Sequence, residues 1–154
     1  MLSAALVASR GGPVPIGYDP GMFKSVVAYV AVLAAILVLD AIWLGAVAKR
    51  FYAERLGYLM APNVRWWAAT LFYLLFAAGV LYFVVLPRAG AGSLGRTFLA
   101  GAFFGLIAYA TYDLTNQALV RDWPVVVTLI DLGWGALLTG TVSVIGLRTL
   151  RFFE

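Results

Sequence analysis

Four stretches of this chain, residues 25–48, 66–86, 97–119 and 125–147, stay apolar for 21–24 residues at a time. The formal charges inside them are three aspartates, Asp40, Asp113 and Asp131. A helix crosses the hydrocarbon of a bilayer with about 20 mainly apolar residues. Each stretch is long enough to do so, and the chain is 64% hydrophobic and 12% charged, against about 45–50% and about 25% in soluble domains. In water such a chain would expose large apolar patches and aggregate; in a bilayer it would not. The expected fold is therefore all-α, a polytopic four-transmembrane-helix bundle with a short interfacial first loop. A flexible leader, 1–22, precedes the helical domain, 23–154.

The aspartates do not forbid insertion. An Asp at a helix centre costs about 2.5–3.5 kcal/mol, and each Leu, Ile or Val returns roughly 0.3–0.6. The apolar side chains from Val26 to Val47 together contribute on the order of 4–7 kcal/mol, enough to carry Asp40 in. Pro87 stops the second stretch, and Trp123-Pro124 opens the fourth, where proline suits a first helical turn. Trp66, Trp67 and Trp123 stand at helix ends, as interfacial anchors do.

The remaining segments read as connectors. The leader contains "ASRGGPVPIGYDPG", rich in Gly and Pro. The apolar "LSAALVA" before it is too short to span and has no basic flank, so a cleaved signal peptide is not expected; Met22 offers an alternative start. The first loop, "KRFYAERLGYLMAPNVR", mixes charge with aromatic residues and should lie in the interface as a short amphipathic helix. The second, "PRAGAGSLGR", is a plain flexible connector. Four spans put both termini and the second loop on one side, with Arg10, Lys24, Arg88, Arg96, Arg148 and Arg151. Lys49, Arg50, Arg55, Arg65 and Arg121 lie on the other. That small excess places the termini in the cytoplasm. The net charge of +4 suits anionic headgroups, and no basic run points to nucleic acid.

The 154 residues contain neither Cys nor His. Zinc–thiolate sites, His-ligated haem, disulfides and Cys or His nucleophiles are thereby excluded within them. No metal site is assigned, and only a hard, oxygen-bound cation would suit the remaining side chains. Lys24 and Lys49, the only lysines, fall at helix ends, so no mid-membrane Schiff base to retinal is available. The sequence names no cofactor.

Helix direction gathers the three aspartates at one depth. Asp40 lies eight residues before the end of the first stretch, Asp113 six before the end of the third, and Asp131 six after the start of the fourth. At 1.5 Å per residue these are depths of about 12, 9 and 9 Å, all on the side of the first and third loops. Gly101, Gly105, Tyr109, Asp113 and Gln117 recur every four residues, with Asn116 beside them; Asp131, Gly135, Thr139 and Ser143 do the same. Such stripes face the bundle interior, and Gly-x-x-x-Gly lets a neighbour come close. Asp40 and Trp43 share a face, and Asp40-x-x-Trp43 is echoed by Asp131-x-x-Trp134, two matches too short to define a repeat. Hydrogen-bonded cross-links between helices are the simplest use of such residues. Their convergence points instead to a polar pocket, with Asp40, Asp113 and Asp131 as candidate acid–base groups and Trp43, Tyr73, Asn116, Gln117 and Trp134 as candidate ligand-binding residues. Three carboxylates together need a shared proton, a bound cation or an arginine, and Arg65 and Arg121 are the nearest on that side.

The ordered motifs "LDAIWLG", "FYAERLGYL", "FYLLFAAGVLYF", "GAFFGLIAYATYDLTNQAL" and "WPVVVTLIDLGWG" resemble the bacterial membrane-protein family designated domain of unknown function 2177. The resemblance runs from about Val26 to Leu147 and leaves the leader outside. It implies a four-helix protein of the bacterial inner membrane and no established activity. Members stand beside lipid-modifying enzymes in their genomes, which tilts the expectation toward lipid. The positions that carry the match are Asp40, Trp43, Asp113, Asn116, Trp123, Pro124, Asp131 and Trp134. The leading expectation is a protein that handles a lipid or other hydrophobic substrate. A small proton- or cation-coupled transporter and a non-catalytic assembly or accessory subunit are the rivals. Expected partners are the lipid bilayer, a hydrophobic small molecule or a membrane protein, and further copies of the chain.

Overall fold

The computed structural model describes residues 20–90 and 92–153, and within them every regular element is helical. The expected leader lies outside the described residues except for its last three, which are already in helix. α1 spans Pro20–Ile42 and runs on through a wider, π-type stretch, Trp43–Val47, closed by the Ala48 N–H on the Trp43 carbonyl at 2.7 Å. α2, Lys49–Leu56, is the short helix expected in the first loop. α3, Trp66–Gly79, widens likewise over Val80–Val85 and tightens at Leu86–Arg88, where Pro87 ends it. α4 spans Leu94–Leu119, its first turn capped by Ser93 Oγ accepting from the Arg96 N–H at 3.2 Å. α5, Val125–Phe152, starts directly after Pro124, which sits just outside the helix rather than in its first turn. Four candidate spans result: Gly21–Val47, Trp66–Arg88, Leu94–Leu119 and Val125–Phe152.

α5 is the central helix, packed along α4 on one side and α1 on the other, with the wide stretch of α3 filling the gap. The core where α1, α3 and α5 meet is apolar: Val32 and Ile36 of α1, Ala77 and Val80 of α3, Leu138 and Val142 of α5 are almost inaccessible, while Thr97, Thr139 and Ser143 are the hydroxyl residues buried to the same extent. The outward faces carry Leu37, Val38, Leu75, Phe83, Leu99, Phe103 and Leu129, as lipid-facing surfaces do. Lipid tails are as apolar as leucine, so burial alone does not hold these helices together; close packing of small residues does.

α4 and α5 meet in a regular antiparallel register. Gly101 lies against Ser143, Gly105 against Thr139 and the Gly135 carbonyl, and Tyr109 against Gly135. A Cβ at either α4 glycine would collide with α5, so those positions are glycine because of the approach itself. One step further, Asp113 meets Asp131. The next rung is Thr128, whose hydroxyl donates to Gln117 Oε1 at 3.2 Å. The stripes expected from the four-residue spacing therefore form one seam, rung by rung.

The first and third loops share one end of the bundle. The Tyr58 hydroxyl donates to the Asp122 carbonyl at 3.0 Å, and Asp122 holds a left-handed φ of 59° in the tight turn between α4 and α5. Trp66 and Trp67 are 74% and 71% exposed, in keeping with interfacial anchors, whereas Trp123 is 6% exposed. The Trp123 indole donates to Thr128 Oγ1 at 3.1 Å, which fastens the turn rather than reaching a headgroup.

Candidate ligand-binding site

At the end of the bundle where α1 finishes and α5 begins, the helices part around a cavity of about 710 Å³. That volume lies within the range of small-molecule sites, about 300–1,000 Å³. All three aspartates line it, each on a different helix. Trp43, Tyr73 and Trp134, expected as ligand-binding residues, line it too, joined by Tyr52, Tyr109, Tyr112 and Phe72. Leu44, Met60 and Lys49 lie at its more exposed margin.

The two Asp-x-x-Trp segments exchange partners. The Trp134 indole donates to Asp40 Oδ1 at 2.9 Å, and the Tyr73 hydroxyl reaches the same carboxyl. The Trp43 indole donates to the Tyr52 hydroxyl at 3.2 Å, and Tyr52 in turn donates to Asp131 Oδ1. The two indoles stack with centroids 4.4 Å apart and planes 7° from parallel. Each tryptophan thus serves the aspartate of the other segment, directly or through one tyrosine. This crossed arrangement is a structural reason for the motif to occur twice.

Tyr52 is the residue that spacing did not single out. It comes from the short loop helix α2, and it folds over the cavity to bond an aspartate seventy-nine positions away. Burial, reinforced by its hydrogen bond to Asp131, pushes its phenol above the ordinary tyrosine value. It therefore keeps its proton and remains a donor. The available signal was chemical: a phenol in a loop at the same membrane face as three carboxyls supplies what they lack.

Asp113 stands apart. It is 0% exposed, and neither of its oxygens accepts a hydrogen bond from an N–H or O–H donor. The group it faces is the Asp131 carboxyl. Two carboxyls can bond each other only through a proton, and like charges so close cannot both persist unaided. Neither expected arginine comes to them. Arg65 lies in a separate shallow hollow with Asn63 and Val64, and Arg121 does not line the cavity. The cationic residue that does is Lys49. Among the described residues no group of three acidic side chains has metal-binding geometry.

Asn116 and Gln117 do not line the cavity. Asn116 hydrogen-bonds the Tyr112 hydroxyl, and its carbonyl accepts from the Val120 N–H at 2.8 Å, ending α4. Gln117 joins the closing rung of the seam, donating to the Trp123 carbonyl at 3.1 Å while accepting from Thr128. Both brace the wall behind Tyr112 and Asp113.

Residues 25–148 match the family model DUF2177, described as a predicted membrane protein, and the chain belongs to that family. It is accordingly a multi-pass membrane protein, with four helices among the described residues long and apolar enough to span. No curated protein and no solved structure matches it.

Proposed function

We propose that this protein binds one lipid-like or other hydrophobic molecule in the cavity at the α1–α4–α5 end, in the inner membrane of a bacterium. The observation that carries this reading is the combination of a 710 Å³ cavity, walls rich in aromatic side chains and a buried carboxyl with no donor of its own. A protein built only to hold helices together would satisfy or omit such a group, because an unmatched buried polar group costs about 1–3 kcal/mol. Intramembrane ionisable residues mark functional sites for the same reason. The aspartates lie about 9–12 Å below the helix ends, a depth at which a headgroup meets them while its apolar body occupies the aromatic walls. The family resemblance supports the inner-membrane placement, and the excess of basic residues on the side of the termini supports cytoplasmic termini.

The test is gentle purification from the native membrane and native mass spectrometry of the wild type and Asp113→Asn. A stoichiometric small molecule present on the wild type and depleted on the variant is expected. A wild type with no bound molecule, or with an equal load on both forms, overturns the reading.

A further inference from the structure

The hydrogen-bond inventory of the cavity narrows what its occupant must carry. Four of the donors that line the cavity are committed, and the others, the Tyr109 and Tyr112 hydroxyls and the Lys49 ammonium, do not reach Asp113. The Trp134 indole and the Tyr73 hydroxyl serve Asp40, the Tyr52 hydroxyl serves Asp131, and the Trp43 indole serves Tyr52. Asp113 receives none of them while being fully enclosed. The group missing from this network is therefore a donor, and its place is beside Asp113.

Charge and shape add to that. Three carboxyls line the cavity against one ammonium, Lys49, which lies at the exposed margin and makes no ion pair among the described residues. An anionic headgroup would meet net repulsion there. A neutral alcohol brings one donor and no charge. A protonated amine brings up to three donors and a positive charge. The walls favour it as well: tryptophan and tyrosine rings attract a cation within about 6 Å of their centroids. Trp43, Tyr109, Tyr112 and Trp134 line the same space as Asp113.

We infer that the occupant is a protonated amine carried on an apolar body, with its ammonium at Asp113 and its body against the aromatic wall. This rests on the reading of the cavity as an occupied site. Two sources share the chemistry, a free long-chain amine and the ammonium of an aminophospholipid.

The experiment titrates the full-length protein in non-ionic detergent with dodecylamine, dodecanol, dodecanoate and short-chain phosphatidylethanolamine, reading tryptophan fluorescence. Trp43 and Trp134 line the cavity and report on filling. Saturable binding of dodecylamine at least about tenfold tighter than dodecanol is expected, the ratio that one charge-assisted hydrogen bond supports. Asp113→Asn should lose that preference. Tight phosphatidylethanolamine binding would support the same inference with a lipid as the source. Equal binding of amine and alcohol by the wild type overturns the inference, with no variant needed, and leaves the cavity reading standing. Binding of neither also overturns it, and the native mass spectrum then decides separately whether the cavity is occupied at all.

Discussion

The same two helices behave in opposite ways at their two ends. From Gly101 to Gly105, α4 lies on Ser143 and Thr139 of α5 so closely that a methyl group would collide with backbone. Two turns further along, the same faces carry Asp113 and Asp131 and border open space. The spacing is continuous through both regions, four residues per rung, so the difference lies in the side chains alone. Where the rungs are small the seam closes, and close contact between small residues is what holds membrane helices together. Where the rungs are carboxyls, α2 and the indoles of α1 and α5 supply donors to some of them and leave one without. A packed region supports an unpacked one on a shared backbone.

The closed half should be the most sensitive to substitution. Gly105→Ala places a Cβ on the Gly135 carbonyl and the Thr139 side chain. Backbone gives way poorly, so the cost should reach about 3 kcal/mol, the upper end of ordinary overpacking. Thermal unfolding in detergent measures it. Gly133→Ala, on the partner helix α5 with open space around the added carbon, is the control. It should be neutral or slightly stabilising, since alanine is the better helix former. Equal effects at the two glycines would break the contrast between the closed and open parts of the molecule.

Between the two regimes sits Tyr52. Tyr52→Phe removes the donor to Asp131 and the acceptor of the Trp43 indole. Leaving those groups unmatched should cost about 1–3 kcal/mol, again read as a lower unfolding temperature. It should also weaken ligand retention, because the Trp43–Trp134 stack loses its tie to α2. A stable variant with full retention would mean that α2 merely covers the cavity.

How far the sequence discloses this arrangement follows the same division. The four spans, the shared depth of the aspartates and the interior stripes of α4 and α5 are legible because helical period and membrane thickness leave little freedom. Pairing the stripes is a matter of register, which spacing within one helix does not contain. The crossed Asp-x-x-Trp pairs are visible as an echo, but their exchange depends on how α1 and α5 are rotated against each other. Tyr52 escapes because it belongs to a loop helix whose docking is decided by tertiary contacts. Trp123 looks like a belt residue by position, yet the turn after α4 draws it inward to Thr128. Arg65 and Arg121 are near the carboxyls along the membrane normal, and nothing in the sequence tells that neither lines the cavity.

The smallest expected effect on stability is the most informative. Asp113→Asn exchanges one carboxyl oxygen for an NH2 group of nearly the same size. In this structure that amide can donate to Asp131, the carboxyl that Asp113 faces, where the native residue offers a second acceptor. The repulsion between two carboxyls disappears as well. The variant should therefore unfold within about 0.5 kcal/mol of the wild type or above it, since one new hydrogen bond contributes roughly 0.5–1.5 kcal/mol. Ligand retention should fall at the same time. Stability held or gained while binding is lost identifies a group kept for its ligand at the expense of the fold. A clear drop in unfolding temperature would instead assign Asp113 to the seam, as one more rung holding α4 to α5.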